Sequence, residues 1–384
     1  MRVPLLVSLV VVAVAGCKKN DKTLSASPAD EDCVVGNSLQ NGEIIEGQYI
    51  VAYQSSVTTD AVNGRSAGEL SSTVLKRNKI SETALGASYN GGFVARLSKE
   101  EVIALRTDSR VRIVEPDRIV ALGTCFTVVA PTLITWNVKQ VGYGDGTGKT
   151  AWIIDSGIDL DHPDLNVDAT RSRSFVSGEA SADDENGHGT HVAGIIGAKN
   201  NNIGVLGIAS GCNLVSLRVL GQDGVGKLSS IIQALAYVNA NAKAGDVVNM
   251  SLGEDETSGI LDDEVKTTAA KGIFIAIAAG NDKKPAIQFS PGRVNATNVY
   301  TVSAVDSLGN FASFSNYGND AVDYAAPGVR IPSTYTGGRY ARLSGTSMAA
   351  PHVAGLLLLN GGKINSKGVA KNDPDGIADP IAHQ

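Results

Sequence analysis

The sequence predicts an α/β protein, a mostly parallel sheet with helices on both faces, preceded by a small α+β module. Three observations carry this reading. From about residue 133, near-continuous apolar segments such as "TAWIID" and "IFIAIAAG" alternate with helical ones, the pattern of strands buried on both faces. Between residues 48 and 120, strand-like and helix-like segments succeed one another over a short span. The composition, 43% hydrophobic and 19% charged over 384 residues, allows one large core with one or two smaller modules. A net charge of −6 without a basic block argues against nucleic acid as a partner. No apolar stretch after the first sixteen residues approaches the length of a membrane span.

The chain opens on "MRVPLLVSLVVVAVAGC", with one positive residue, a short apolar segment and small residues just before Cys17. That pattern is an export signal. Its ending "VAGC" resembles a bacterial lipobox, which implies cleavage before Cys17 and a lipid on that cysteine, the only membrane attachment expected. Residues 18–47 are polar and read as a tether. In the module at 48–120, "QYIVAY" and "GGFVARL" alternate like strands. "SKEEVIALRTD" reads as a short helix with Ser98 as N-cap and acids in its first turn. "VRIVEPDRIVAL" is a final strand, and the expected order is strand, helix, strand, helix, strand.

Residues 121–384 form the large domain. "TAWIID", "NLVSLRVL", "DVVNMSL" and "IFIAIAAG" are its strands, and "HGTHVAGIIGA", "SSIIQALAYVNANA" and "LDDEVKTTAAKG" its helices. The tail beyond "HVAGLLLLN" carries no further amphipathic helix, so thinner cover of the core is expected there.

Three side chains at element ends can do chemistry together. Asp155 closes the strand "AWII", which would hold its carboxylate at the sheet edge, where such folds gather active groups. His188 starts a helix between Gly187 and Gly189, which leave its ring unobstructed. Ser347 lies in "LSGTSMAAPHVAG" at the mouth of another helix, four residues before Pro351. Singly these are a turn aspartate, a helix histidine and a helix-capping serine. His188 and His191 lie three apart, but H-E-x-x-H and a third ligand are missing, which sets zinc aside. Together, in the order Asp, His, Ser, they fit nucleophilic catalysis: the imidazole takes the serine proton and the carboxylate orients the imidazole. The helix start adds the Ser347 N–H and a positive dipole end for a developing oxyanion. Asn281, in "AAGND" after a strand, offers an amide to the same oxygen. His352, five residues beyond Ser347, faces elsewhere and reads as structural.

"IIDSGID", "NGHGTHVAG", "AAGN" and "SGTSMAAPHVAG", in this order over roughly residues 130–360, resemble the subtilisin-like serine peptidases. The resemblance implies an endopeptidase acting on proteins or peptides through an acyl-enzyme. Asp155 would orient, His188 would be general base then acid, and Ser347 the nucleophile. Asn281 and the Ser347 N–H would form the oxyanion hole. Substrate main chain would lie along Ser251, Leu252 and Gly253 and the loop around Gly224, with Leu228 lining an outer apolar subsite. "KNNNIGVLGIAS" resembles the family's calcium loop. The implied structural Ca²⁺ would be held by the Asp164 and Asn201 side chains and the carbonyls of Lys199, Ile203 and Val205; no catalytic metal is expected. Residues 48–120 resemble the family's inhibitor-like propeptides, of ferredoxin-like fold. That implies an intramolecular chaperone and inhibitor, removed autocatalytically within about 119–130. A monomer is expected.

An exported chain permits disulfides, and of Cys17, Cys33, Cys125 and Cys212 the pair sharing one domain is Cys125–Cys212. Glu254 and Asp255, in "SLGEDE", set carboxylates beside the substrate groove where many relatives have Gly or Ser, which would favour basic substrate residues. "GDGTGKT" is no phosphate loop, because Tyr143 stands where its first glycine belongs and a strand follows. Two rival functions use the same scaffold: a non-catalytic surface binding protein, and a peptide ligase or transacylase running the same acyl-enzyme.

Overall fold

A computed structural model describes residues 41–54, 66–121, 127–128 and 133–384. The export segment with Cys17, residues 18–40 of the expected tether, Cys125 and most of the expected processing window lie outside them. The described residues belong to one compact unit.

The amino-terminal module runs β1 (Ile44–Tyr53), α1 (Ala67–Arg77), β2 (Leu85–Tyr89), β3 (Gly92–Arg96), α2 (Lys99–Arg106) and β4 (Val111–Ala121). This βαββαβ order is ferredoxin-like, and it holds one strand more than the sequence pattern indicated. β2, "LGASY", lacks an apolar alternation and is fixed instead by its antiparallel partner β3 across the Asn90–Gly91 turn. Both helices start in capping boxes, Ser66 with Glu69 and Ser98 with Glu101. The tether expected through residue 47 ends sooner. Gly42 N–H donates to Ile119 O and Ile119 N–H to Glu43 O, so the chain already runs along β4 there.

After a two-residue strand β5 (Thr127–Val128) come α3 (Trp136–Val141), β6 (Gly144–Asp145), β7 (Thr150–Asp155) and β8 (Arg173–Ser174). The middle of the domain is α4 (His188–Gly197), β9 (Ala209–Ser210), β10 (Asn213–Arg218), β11 (Val225–Lys227), α5 (Leu228–Asn241), β12 (Val247–Met250), α6 (Gly259–Ala269) and β13 (Phe274–Ala278). It closes with β14 (Val299–Val305), β15 (Val322–Pro327), β16 (Ile331–Tyr335), β17 (Arg339–Leu343), α7 (Thr346–Asn360), β18 (Asn365–Val369) and β19 (Pro380–His383).

Nine strands form the main sheet in the order β18-β19-β15-β14-β13-β12-β7-β10-β8. Every pairing in it is parallel except β18 with β19. β7, β12 and the centre of β13 are fully buried, which is why they read as unbroken apolar runs. The tail does not thin the core. It adds β18 and β19 to the sheet edge, with Ile381 and Ala370 buried against Val305 and Ala325.

β4 is shared between two layers. It pairs with β1 on one side and antiparallel with β11 on the other, Ile119 to Ala121 facing Lys227 to Val225. Two of its acids also reach the large domain. Glu115 accepts from Ser258 Oγ (2.7 Å) and Gly259 N (3.0 Å) at the start of α6. Asp117, fully buried, accepts from Ser229 N (2.9 Å) and Ser229 Oγ at the start of α5, and from Gln48. Each carboxylate thus meets the positive end of a helix dipole and satisfies an N–H that the helix leaves unpaired.

Candidate active site

β7 delivers Asp155 to the carboxyl end of the sheet, fully buried. α4 begins at His188, whose Nδ1 lies 2.7 Å from Asp155 Oδ1. A carboxylate only accepts, so Nδ1 carries the proton and Nε2 presents a lone pair. Nε2 is buried without a hydrogen-bond partner.

The local sequence explains this placement. Gly187 has φ +107°, and a Cβ there would sit 2.2 Å from the Tyr335 ring. A Cβ on Gly189 would sit 2.1 Å from Gly157 O, so α4 can approach β7 only with glycine at that position. The buried Asp184 then ties the turn, accepting from Asn186 N, Gly187 N, Thr190 N, Thr190 Oγ1 and Ser156 Oγ. Burial pushes its carboxyl above the usual range. The sequence reading missed Asp184; the signal was a "DDENG" turn immediately before the histidine.

Ser347 is the second residue of α7, so its N–H belongs to the unpaired first turn. Pro351 lies inside the helix and has no N–H to give the Ser347 carbonyl. That carbonyl is taken by Ser251 Oγ–H at 2.7 Å, and Ser251 Oγ accepts in turn from Asn249 Nδ2 at 2.9 Å. Ser347 Oγ donates back to Ser251 O at 3.1 Å. Pro351 therefore frees one carbonyl so that Ser251 can brace Ser347. The same contact uses the hydroxyl proton, so the Ser347–His188 hydrogen bond expected of the trio is not made in this structure.

Asn281 Oδ1 accepts from Thr346 N (2.9 Å) and Thr346 Oγ1 (3.0 Å), which turns its Nδ2 donor the other way. Asn281 and Ser347 line one pocket with Ser251, Leu252 and Gly253. Gly224 makes the turn (φ +74°) before β11, and the β pairing falls on the next three residues, with β4 as partner. Leu228, the next residue after β11, is 1% exposed with β4 in place and belongs to the cluster that also includes Val120 of β4.

The other histidines have separate duties. His191 Nε2 lies 2.9 Å from Ile331 O, and burial pushes its pKa down to about 3. His352 lies between Met348 O and the Asn137 amide, each at 2.8 Å. Cys212 is a fully buried thiol packed against Gly197, and Cys125, its expected partner, lies outside the described residues. Asp255 turns toward the amino-terminal module, accepting from Asn41 Nδ2, while Glu254 faces the pocket.

Asp164 sits inside the 199–205 loop. Its backbone O accepts from Lys199 N (2.8 Å), and its Oδ2 accepts from Val205 N (3.0 Å) and Tyr340 Oη (3.3 Å). Its Oδ1 is buried and unpaired, and Asn201 lies on the same loop with its Oδ1 on Ile203 N. A buried carboxylate oxygen left without a partner suits a hard cation.

Comparison with known proteins now fits the geometry. The family model described as "Subtilase family" matches residues 146–368, and that described as "Peptidase inhibitor I9" matches residues 48–123. Alkaline serine exoprotease A of Vibrio alginolyticus is 41% identical over 281 residues, 70% of this chain and 51% of that protein. The chain thus spans about half the length of that relative. M-protease of Shouchella clausii (strain KSM-K16) is 41% identical over 270 residues, 68% of this chain and 67% of its own. Subtilisin BL of Lederbergia lenta is 46% identical over 214 residues, 56% of this chain and 76% of its own. A solved structure, described as the crystal structure of a cold adapted subtilisin-like serine proteinase, superposes with a TM-score of 0.59 at 32% identity, covering 66% of this chain and 98% of that one. The chain belongs to the subtilase family of serine endopeptidases.

Proposed function

We propose that the chain is an exported endopeptidase, made as a zymogen, that hydrolyses peptide bonds in proteins through an acyl-enzyme on Ser347. The observation that supports this best is the buried Asp155–His188 pair beside a serine braced at a helix start. Ser347 Oγ turns from Ser251 O to His188, passes its proton to Nε2 and attacks the scissile carbonyl carbon. Asp155 holds the Nδ1–H tautomer and stabilises the imidazolium. The Ser347 N–H and Asn281 Nδ2 receive the oxyanion. His188 then protonates the leaving amine, and water, deprotonated by the same ring, releases the acyl group.

The amino-terminal module is the enzyme's own inhibitor. Its last strand lies antiparallel on β11 as an extended substrate would, and the cut falls within about 119–130. Asp164, Asn201 and the carbonyls of Lys199, Ile203 and Val205 hold a structural Ca²⁺, which fixes the loop and supplies no catalytic chemistry. Cys17 carries the lipid that keeps the protein at the cell envelope. The enzyme acts as a monomer.

The test compares the wild type with Ser347→Ala, both begun after Cys17, by intact mass and casein hydrolysis. The wild type is expected to lose the residues before the cut and to digest casein, and the variant to do neither. Processing or casein digestion by the variant refutes Ser347 as nucleophile.

A further inference from the structure

The pocket beside Ser347 carries charge that the chemistry above does not use. Among the residues lining it are two acids, Glu254 and Asp282, and no Lys, Arg or His. Glu254 is 1% exposed, and neither of its carboxylate oxygens has a hydrogen-bond partner. Asp282 Oδ2 is buried and unpaired as well. An unpaired buried carboxylate is costly, so two around one small space call for a cationic or proton-donating occupant. The inhibitor module does not supply one: burial pushes the Glu254 carboxyl up to about 8, and Arg118, the cation whose field opposes that, gives its Nη1 to Gly42 O. Glu115, Asp262 and Glu256 also oppose a charge on Glu254.

The space open to water there is small, about 30 Å³, room for one or two molecules. A lysine brings a compact charge on a slender stem, whereas a guanidinium is broad and planar. Ser347 and Asn281 both line this pocket, so a carbonyl held between them sets its own side chain at the opening.

Resting on the assignment of Ser347 as nucleophile, we infer that this pocket receives the residue on the acyl side of the scissile bond, and that Glu254, with Asp282, selects lysine there. The test uses the processed protein and peptidyl chromogenic amides that differ only in that residue: lysine, norleucine or phenylalanine. Casein cleavage by the same preparation reports the peptidase activity independently. The expected kcat/KM for lysine exceeds that for norleucine and for phenylalanine by about tenfold or more, the value of a partly desolvated charged hydrogen bond. Glu254→Gln lowers the lysine-to-norleucine ratio about tenfold, and Asp282→Asn lowers it less. A wild-type ratio near one, or a ratio that Glu254→Gln does not move in protein that still digests casein, overturns the assignment.

Discussion

The brace between Ser251 and Ser347 can be measured as a coupling to Pro351. Replacing Ser251 with Ala removes the hydroxyl that donates to the Ser347 carbonyl at 2.7 Å, and Pro351 offers that carbonyl no N–H in its place. Stranding a buried carbonyl costs roughly 1 to 3 kcal/mol, and Asn249 Nδ2 loses its acceptor too. A total of about 2 kcal/mol should lower Tm by about 4 °C in a chain this large. The measurement belongs in a Ser347→Ala background, which stops self-digestion and removes the reverse bond from Ser347 Oγ to Ser251 O. Pro351→Ala restores an N–H four residues after position 347. In that second background Ser251→Ala should cost about 1 kcal/mol less, a drop nearer 2 °C. Equal drops in the two backgrounds would refute the idea that Pro351 frees the Ser347 carbonyl for Ser251.

Asp155→Asn should reduce kcat by about 10⁴, because His188 would lose the acceptor that fixes its tautomer; a loss below tenfold on a chromogenic amide removes Asp155 from that role. Glu115→Gln combined with Asp117→Asn should weaken inhibition of the processed enzyme by its released module about 100-fold, since both helix starts lose a charged acceptor. An inhibition constant that stays within threefold would show that the caps add nothing to binding. Burial raises the Asp379 carboxyl to about 7, reinforced by Asp373 and Asp375. The folded chain therefore keeps a proton that the unfolded chain releases near 3.9, and stability falls as pH rises from about 4 to 7. Asp379→Asn should flatten that slope of Tm against pH, and an unchanged slope contradicts a neutral carboxyl. A chelator should lower Tm by about 10 °C, as expected for loss of a cation present near 1,000 times its Kd, and should do less to Asp164→Asn. Equal chelator shifts in the two proteins would sever Asp164 from the cation.

The parts of this fold that were legible in the sequence are those where burial leaves a local pattern. β7, β12 and β13 are apolar on both faces, and His188 and Ser347 open helices whose small residues face a crowded sheet. β2 was invisible because its four residues before Tyr89 carry no alternation and only β3 holds them in register. Contacts between distant segments were equally silent. Asp117 and Ser229 are 112 positions apart, and Ser251 and Ser347 are 96. "VEPD" therefore read as ordinary strand, and Pro351 gave no sign that Ser251 takes the Ser347 carbonyl it leaves open.

The shared strand at β11 has an evolutionary cost. On the function proposed above, the edge that pairs with β4 here would also take an extended substrate. A mutation that made it grip substrates harder would then make the inhibitor slower to leave, so catalytic efficiency there would be tied to the wait before the enzyme becomes active. Selection can separate the two only through contacts that one visitor makes and the other lacks. Glu115, which holds the start of α6 at Ser258 and Gly259, is such a contact, and it lets the delay be tuned while the groove is left alone.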